Sequence, residues 1–335
     1  MPDNSLFDRN TILKILLGSI LGVLAVWLAF RGVEVEQLLQ VLRRANPWLV
    51  ILGLGIVFLN VAVFSLRWWV TLIRDWQSKE YLTLLGGVYL GQMFNIVLPA
   101  RLGELARIYF VSERLEITKS RLLGSLVLEK AVDIITFGLA VFTLITAMSL
   151  PAWVNDPGRS LLWLAAAAAL GIIILALWGR RFLHWITPIL RKLPGRWGER
   201  LAGILERALT GFDSLRSWKR QALIWWLSIL SVVLSTLTNF TVLKALQIQA
   251  PFTAALFVLI VLQVGSAPPS APGKLGVFHY LAVLVLSAFG VGKGTALAYG
   301  VLLYLVALVP KVIIGVGVMV FSRWGIADLK LNIED

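Results

Sequence analysis

Residues 81–98 read YLTLLGGVYLGQMFNIVL, and Pro99 then opens ARLGELARIYFV at 100–111. The first part carries no charge; the second places Arg101, Glu104 and Arg107 where an apolar run would otherwise continue. A charged side chain at the centre of a membrane helix costs about 2.5–3.5 kcal/mol, so such residues face a polar cavity and mark a site. The stretch reads as a membrane helix broken at proline, with its charges at the edge of a pathway.

The rest of the chain sets that break in a membrane. Hydrophobic residues make up 59% of the 335 and mean hydropathy is +0.84, with several uncharged runs near the length of a bilayer crossing. The absence of cysteine removes disulfides, thiolate metal sites and cysteine nucleophiles, and His184 and His279 are too few for a metal centre. No metal and no cofactor are expected. The net charge of +13 is concentrated between Gly179 and Arg220, where Trp, Leu and Ile alternate with Arg and Lys. That pattern predicts an amphipathic segment lying on an anionic leaflet rather than a nucleic-acid surface.

Full spans are expected near residues 12–30, 48–70, 122–148, 160–178, 222–243 and 295–321, so the fold class is an all-α polytopic membrane protein. Gly18 and Gly22 form a GxxxG pair, a signature of close helix packing that also leaves a homo-oligomer open. Two more apolar segments, 81–113 and 252–290, are interrupted by proline, and either span or dip in and return. If both return, loops 1–11, 66–80, 111–121, 179–220 and 322–335 share one side and hold 19 of the 31 basic residues, against six on the other. The positive-inside rule then makes the rich side, with both termini, cytoplasmic. Arg43 and Arg44 are discordant on the outer side.

The two broken segments also match each other. Pro99-Ala100-Arg101-Leu102-Gly103 corresponds to Pro272-Gly273-Lys274-Leu275-Gly276 at a constant offset of 173, and the same offset carries Leu122 onto Thr295. Each half then reads span, amphipathic connector, span, broken hairpin, span. Three spans per half make the halves inverted: 1–148 with the hairpin 81–113, and 149–335 with the amphipathic segment 179–220 and the hairpin 252–290. Transporters built this way hold their site near the midplane, where broken helices meet.

Proline ends one arm of each hairpin, and the free N–H groups that open the next arm favour an anion. Arg101 and Lys274 add a full positive charge there, Arg as a bidentate fork and Lys as a point charge. Gly103 and Gly276 let a headgroup or a helix approach the backbone, with Pro99, Pro269, Pro272 and Gly273 shaping the hairpins. The alternative is that these residues only shape a packed hairpin in which Arg101 pairs with Glu104. The acids do not repeat: Glu104, Glu129 and Asp133 fall on Val277, Leu302 and Val306. Glu129 and Asp133 share a helix face, with Lys130 alongside. They either carry protons or a cation, or neutralise Arg101 and Arg107 from across the bundle.

Enzymatic signatures are sparse. There is no H-E-x-x-H and no G-x-S-x-G, and SAFGVGKG at 287–294 departs twice from a P-loop. The chain is therefore expected not to be an enzyme.

Asn95, Pro99, Arg101, Gly103, Glu104 and Arg107, then Glu129 and Asp133, then Pro269, Pro272, Gly273 and Gly276, together resemble the flippase-like, lysylphosphatidylglycerol synthase transmembrane-region family of bacteria and archaea. The resemblance covers most of the chain. It implies a membrane domain, without an aminoacyl transferase domain, that moves an anionic or amphiphilic lipid between leaflets of a bacterial inner membrane. His279 stands where the family pattern tends to carry glutamate, leaving the second half less charged. The expected substrate-binding set is Asn95, Arg101, Glu104, Arg107, Lys274 and His279, with Glu129, Lys130 and Asp133 as a charge network. Expected partners are membrane lipids, anionic or phosphate-bearing, and a cytosolic lipid-modifying enzyme docked at 179–220. The rival expectation is an accessory or scaffold subunit of an envelope-lipid biosynthetic complex, and a more remote one is a small-anion transporter.

Overall fold

A computed structural model describes residues 24–72, 78–97, 102–147, helical positions within 160–170, 217–265 and 272–324. Pro99, Arg101, Pro269, the start of the first expected span and residues 179–216 lie outside the described residues. Within them the helices are α1 (24–30), α2 (Val35–Arg43), α3 (Pro47–Leu72), α4 (Ser78–Val97), α5 (Gly103–Leu115), α6 (Lys119–Ala147), α7 (Trp218–Ala245), α8 (Phe252–Gly265), α9 (Val277–Ser287), α10 (Lys293–Ala307) and α11 (Val309–Ser322). No strand occurs among the described residues.

Four stretches are long and apolar enough to cross a bilayer: Pro47–Leu72, Lys119–Ala147, Trp218–Ala245 and Lys293–Ser322. This is a multi-pass helical membrane protein. The four coincide with the expected spans 48–70, 122–148, 222–243 and 295–321. Their local logic is legible. Asn46 caps α3 by accepting the Trp48 and Leu49 N–H groups at 3.0 and 3.4 Å, and Pro47 fills the first helical position, where its missing N–H costs nothing. On α3 the buried residues Val57, Val61, Ser65, Trp68 and Leu72 recur at helical spacing, while Ile51, Leu52, Phe58 and Leu59 stay exposed, as lipid-facing side chains do. The last span is jointed: Pro310 has no N–H to donate, and the Lys311 N–H reaches the Leu308 carbonyl at 3.1 Å instead.

Both proline-interrupted segments are pairs of antiparallel helices. Gly103 lies against Gly91 and Asn95, while Gly87 faces Arg107, Phe110 and Val111, so α5 runs back along α4. Gly265 lies against Leu281 and Phe257 stacks edge-on with Phe289 at 6.1 Å, so α9 runs back along α8. At the first turn the Gly103 N–H donates to Asn95 Oδ1 at 3.0 Å. A Cβ on Gly103 would run into the Gly91 carbonyl oxygen and come within 2.7 Å of the Asn95 side chain, so only glycine lets the two arms close.

The chain divides into two compact units. Among the described residues, one gathers those of Met1–Leu59, Tyr89–Glu104 and Leu234–Met319. In it α8, α9 and α10 pack in succession and α2 lies on α10. Asn46 N–H bonds the Ala245 carbonyl at 2.9 Å, and Lys293 Nζ bonds the carbonyls of Leu28 and Arg31 at 3.1 and 2.5 Å. The other gathers Asn60–Val88, Leu105–Val233 and Val320–Asp335. There Arg121 bonds the Leu72 carbonyl at 2.6 Å, Arg114 bonds that of Ser322 at 2.6 Å, and Trp324 donates to Glu113 at 3.0 Å.

Candidate functional site

Charged chemistry in the second unit centres on two arginines and two acids. Arg107, from the helix after the first hairpin break, meets Glu129 of α6 in a two-pronged pair, Nη2 to Oε1 at 2.7 Å and Nη1 to Oε2 at 3.3 Å. Both side chains are 4% exposed. The guanidinium lies over the Trp68 ring, 4.7 Å from its centre, and the Trp68 indole N–H is tied to Ser125 Oγ at 3.1 Å. Four residues along α6, Asp133 pairs with Arg67 of α3 at 2.7 Å. The same Arg67 nitrogen donates to Ser228 Oγ of α7 at 2.9 Å, and Arg67 sits over Phe64 at 4.8 Å. Lys130 Nζ stands 3.6 Å from Glu129 with its side chain 46% exposed, a contact worth little beside the buried pairs.

This arrangement corrects one expectation and extends another. Arg67 belongs by sequence both to the span 48–70 and to the basic flank 66–80 counted as cytoplasmic; the structure buries it to 3% as the partner of Asp133. The acids thus divide between Arg107 and Arg67, and a bundle-crossing network exists with Arg67 as a member the sequence reading did not assign. Its signal was an arginine inside an apolar helix, one turn from Phe64 and next to Trp68, instead of beyond the helix end.

The first unit holds the other charges. In the turn Pro272–Lys274, Gly273 and Lys274 both take left-handed backbone angles, φ +73° and +56°, and Gly276 follows at +83°. A lysine in that region costs about 1–2 kcal/mol, so the turn is held from outside. Tyr304 of α10 does so, donating its hydroxyl to the Gly273 carbonyl at 2.9 Å. His279, one turn into α9, stacks on Tyr304 at 5.3 Å and touches Phe278 and Phe30. It is buried, with the Gly300 backbone close by. Glu104 and Asn95 are half-buried beside buried Gly103. Among the described residues, no group of three or more His, Cys, Asp or Glu side chains is placed to hold a metal.

The lysylphosphatidylglycerol synthase transmembrane region, as a family pattern, matches residues 12–315. The chain belongs to this family. Among relatives, the "Glycosyltransferase AglD" of Haloferax volcanii is 25% identical over 91% of this chain, and a "UPF0104 membrane protein" of Methanothermobacter thermautotrophicus is 24% identical over 83%. The alignment takes in 87% of the second relative but only 54% of the first, so the chain spans about half of the glycosyltransferase-named protein's length. That relative overturns the expectation that the chain is not an enzyme: a protein 25% identical over 91% of it bears an enzyme's name, and missing hydrolase and P-loop motifs do not exclude glycosyl transfer.

Proposed function

We propose that the protein is a lipid translocase of a bacterial inner membrane, moving an anionic or amphiphilic lipid between leaflets by alternating access. The observation that carries the reading is the pair of antiparallel helical hairpins, each interrupted at a Pro-x-basic-x-Gly motif within a bundle of apolar helices. Read as re-entrant, they enter from opposite faces of two inverted halves and bring Arg101 and Lys274 to the midplane as headgroup ligands. The meetings of helix ends support this topology. Residues 46 and 245, and 31 and 293, touch within one unit, as outer-side ends do; residues 72 and 121, and 114 and 322, touch within the other, as cytoplasmic ends do.

Proteoliposomes carrying a labelled anionic lipid test the reading. Arg101→Gln and Lys274→Gln should insert and purify, yet move the lipid several-fold more slowly. Arg101→Lys should fall between Arg101→Gln and the parent, since Lys keeps the charge and loses the fork. Normal rates in both Gln variants would reject the headgroup site. One observation favours a second reading: the glycosyltransferase-named relative shares this membrane portion across 54% of its length. On that reading the chain serves glycosyl transfer to a membrane lipid, alone or by docking an enzyme at 179–220. Consumption of a nucleotide sugar by membranes containing the protein, without lipid movement, would favour it.

A further inference from the structure

Three spans of the second unit each carry a polar side chain at mid-length. Asp133 is the central residue of α6, and Asn60 and Ser231 fall at the middles of α3 and α7. Each is about 20 Å from the ends of its helix, at the depth where uncompensated polarity is most expensive. Arg67 joins them. Ser231 donates to Asn60 Oδ1 at 2.7 Å, and Ser228, one turn away on the same face of α7, accepts from Arg67 Nη1 at 2.9 Å. That nitrogen also meets Asp133 Oδ1 at 2.7 Å. Two features mark the row as unfinished. The Arg67 side chain is 4% exposed, yet among the described residues its other terminal nitrogen, Nη2, is buried without a hydrogen-bond partner. A buried donor left unpaired forfeits the hydration it gave up, which is why such groups are rare. Beside it the Asp133 side chain is 32% exposed, so its carboxylate is open to whatever occupies that side. Acyl chains would satisfy neither group, and Glu129 is already taken up by Arg107 in a two-pronged pair.

The two groups together select the ligand. Arg67 Nη2 needs an acceptor and Asp133 a donor, side by side. A phosphate would satisfy the arginine and be repelled by the aspartate; an ammonium would do the reverse. A hydroxyl both accepts and donates, and a polyol offers several on adjacent carbons. We propose that Arg67 and Asp133, with Asn60 and Ser231 beside them, form a mid-membrane subsite for a hydroxylated group, a sugar or comparable polyol, carried on a lipid or free. It deepens the translocase reading by naming the headgroup of the amphiphilic lipid, and rests on that reading only for the lipid's movement.

Thermal unfolding of the purified full chain tests it, in a polyoxyethylene detergent that brings no sugar of its own. Short-chain glucosyl diacylglycerol should raise the unfolding temperature, and the matching diacylglycerol should not. Arg67→Lys keeps the charge opposite Asp133 and loses the fork's second nitrogen. It should need about ten- to a hundredfold more glucosyl lipid for the same stabilisation, the effect of one charge-assisted contact. Ser231→Cys places a single thiol at the site, since the chain has no cysteine. Glucosyl lipid should slow its modification by a small methanethiosulfonate reagent several-fold, whereas diacylglycerol and phosphatidate should leave it unchanged. Methyl glucoside that protects equally assigns the site to free sugar, and failure to protect assigns it to the lipid; either supports the subsite. Equal effects of glucosyl lipid and diacylglycerol, on unfolding or on labelling, overturn it, as does a parent-like response in Arg67→Lys. If Arg67→Lys fails to fold, protection of Ser231→Cys decides alone. Glucosyl lipid bound here but not moved in proteoliposomes would leave the subsite standing and sink its translocation. Movement of an anionic lipid with no protection by glucosyl lipid would sink the subsite and leave translocation.

Discussion

At the scale of single residues, Glu129 and Asp133 share one helix face but not one environment. Glu129 and its partner Arg107 are 4% exposed, whereas the Asp133 side chain is 32% exposed opposite a buried Arg67. Removing one member of a buried pair leaves an uncompensated charge and costs about 3–5 kcal/mol; Glu129 holds Arg107 through two contacts, whereas Asp133 holds Arg67 through one and leaves it still bonded to Ser228. Glu129→Gln should therefore lower the unfolding temperature in detergent clearly more than Asp133→Asn. Replacing Arg107 and Glu129 together with Leu should cost less than the sum of the single changes. Equal effects at positions 129 and 133 would contradict the asymmetry. The acidic pair was legible in the sequence because carboxylates in an apolar helix need a cationic partner or a polar cavity. Arg67 was not, because an arginine near a helix end is ordinarily a flank, and only the approach of α6 and α7 makes it an interior residue.

At the scale of elements, the first hairpin depends on one backbone contact. Gly103→Ala would drive a methyl group into the Gly91 carbonyl and the Asn95 side chain, and overpacking against backbone costs about 1–3 kcal/mol or more. Gly55 of α3 is the control: nothing lies within 4 Å of a Cβ placed there, so Gly55→Ala should gain up to about 1 kcal/mol through helix propensity. Unfolding temperatures of the two variants should move in opposite directions, and a neutral Gly103→Ala would show that the arms need not close so tightly. The four long spans, the breaks after Val97 and Gly265 and the amphipathic α2 were readable because apolar length, proline and periodicity act locally. What escaped was the role of Tyr304. It is an aromatic residue in an apolar helix, and its hold on Gly273 exists only after α10 has packed beside the second hairpin.

At the scale of the whole molecule, the distribution of basic residues predicts an orientation. The absence of cysteine makes single-cysteine reporters unambiguous. A cysteine at Glu116, between α5 and α6, should react with an impermeant thiol reagent only from the cytoplasmic side; one at Ser287, at the end of α9, should react only from outside. Labelling of both from the same side would overturn the pair of oppositely entering hairpins. Lys293 opens α10, where the helix dipole disfavours a cation, yet its ammonium closes the carbonyls that α1 leaves open at Leu28 and Arg31. This lysine joins helix ends that lie 265 and 262 residues apart in sequence. In a chain threaded into the bilayer helix by helix, those carbonyls therefore stay open until residue 293 has emerged, and the two ends lock late in assembly.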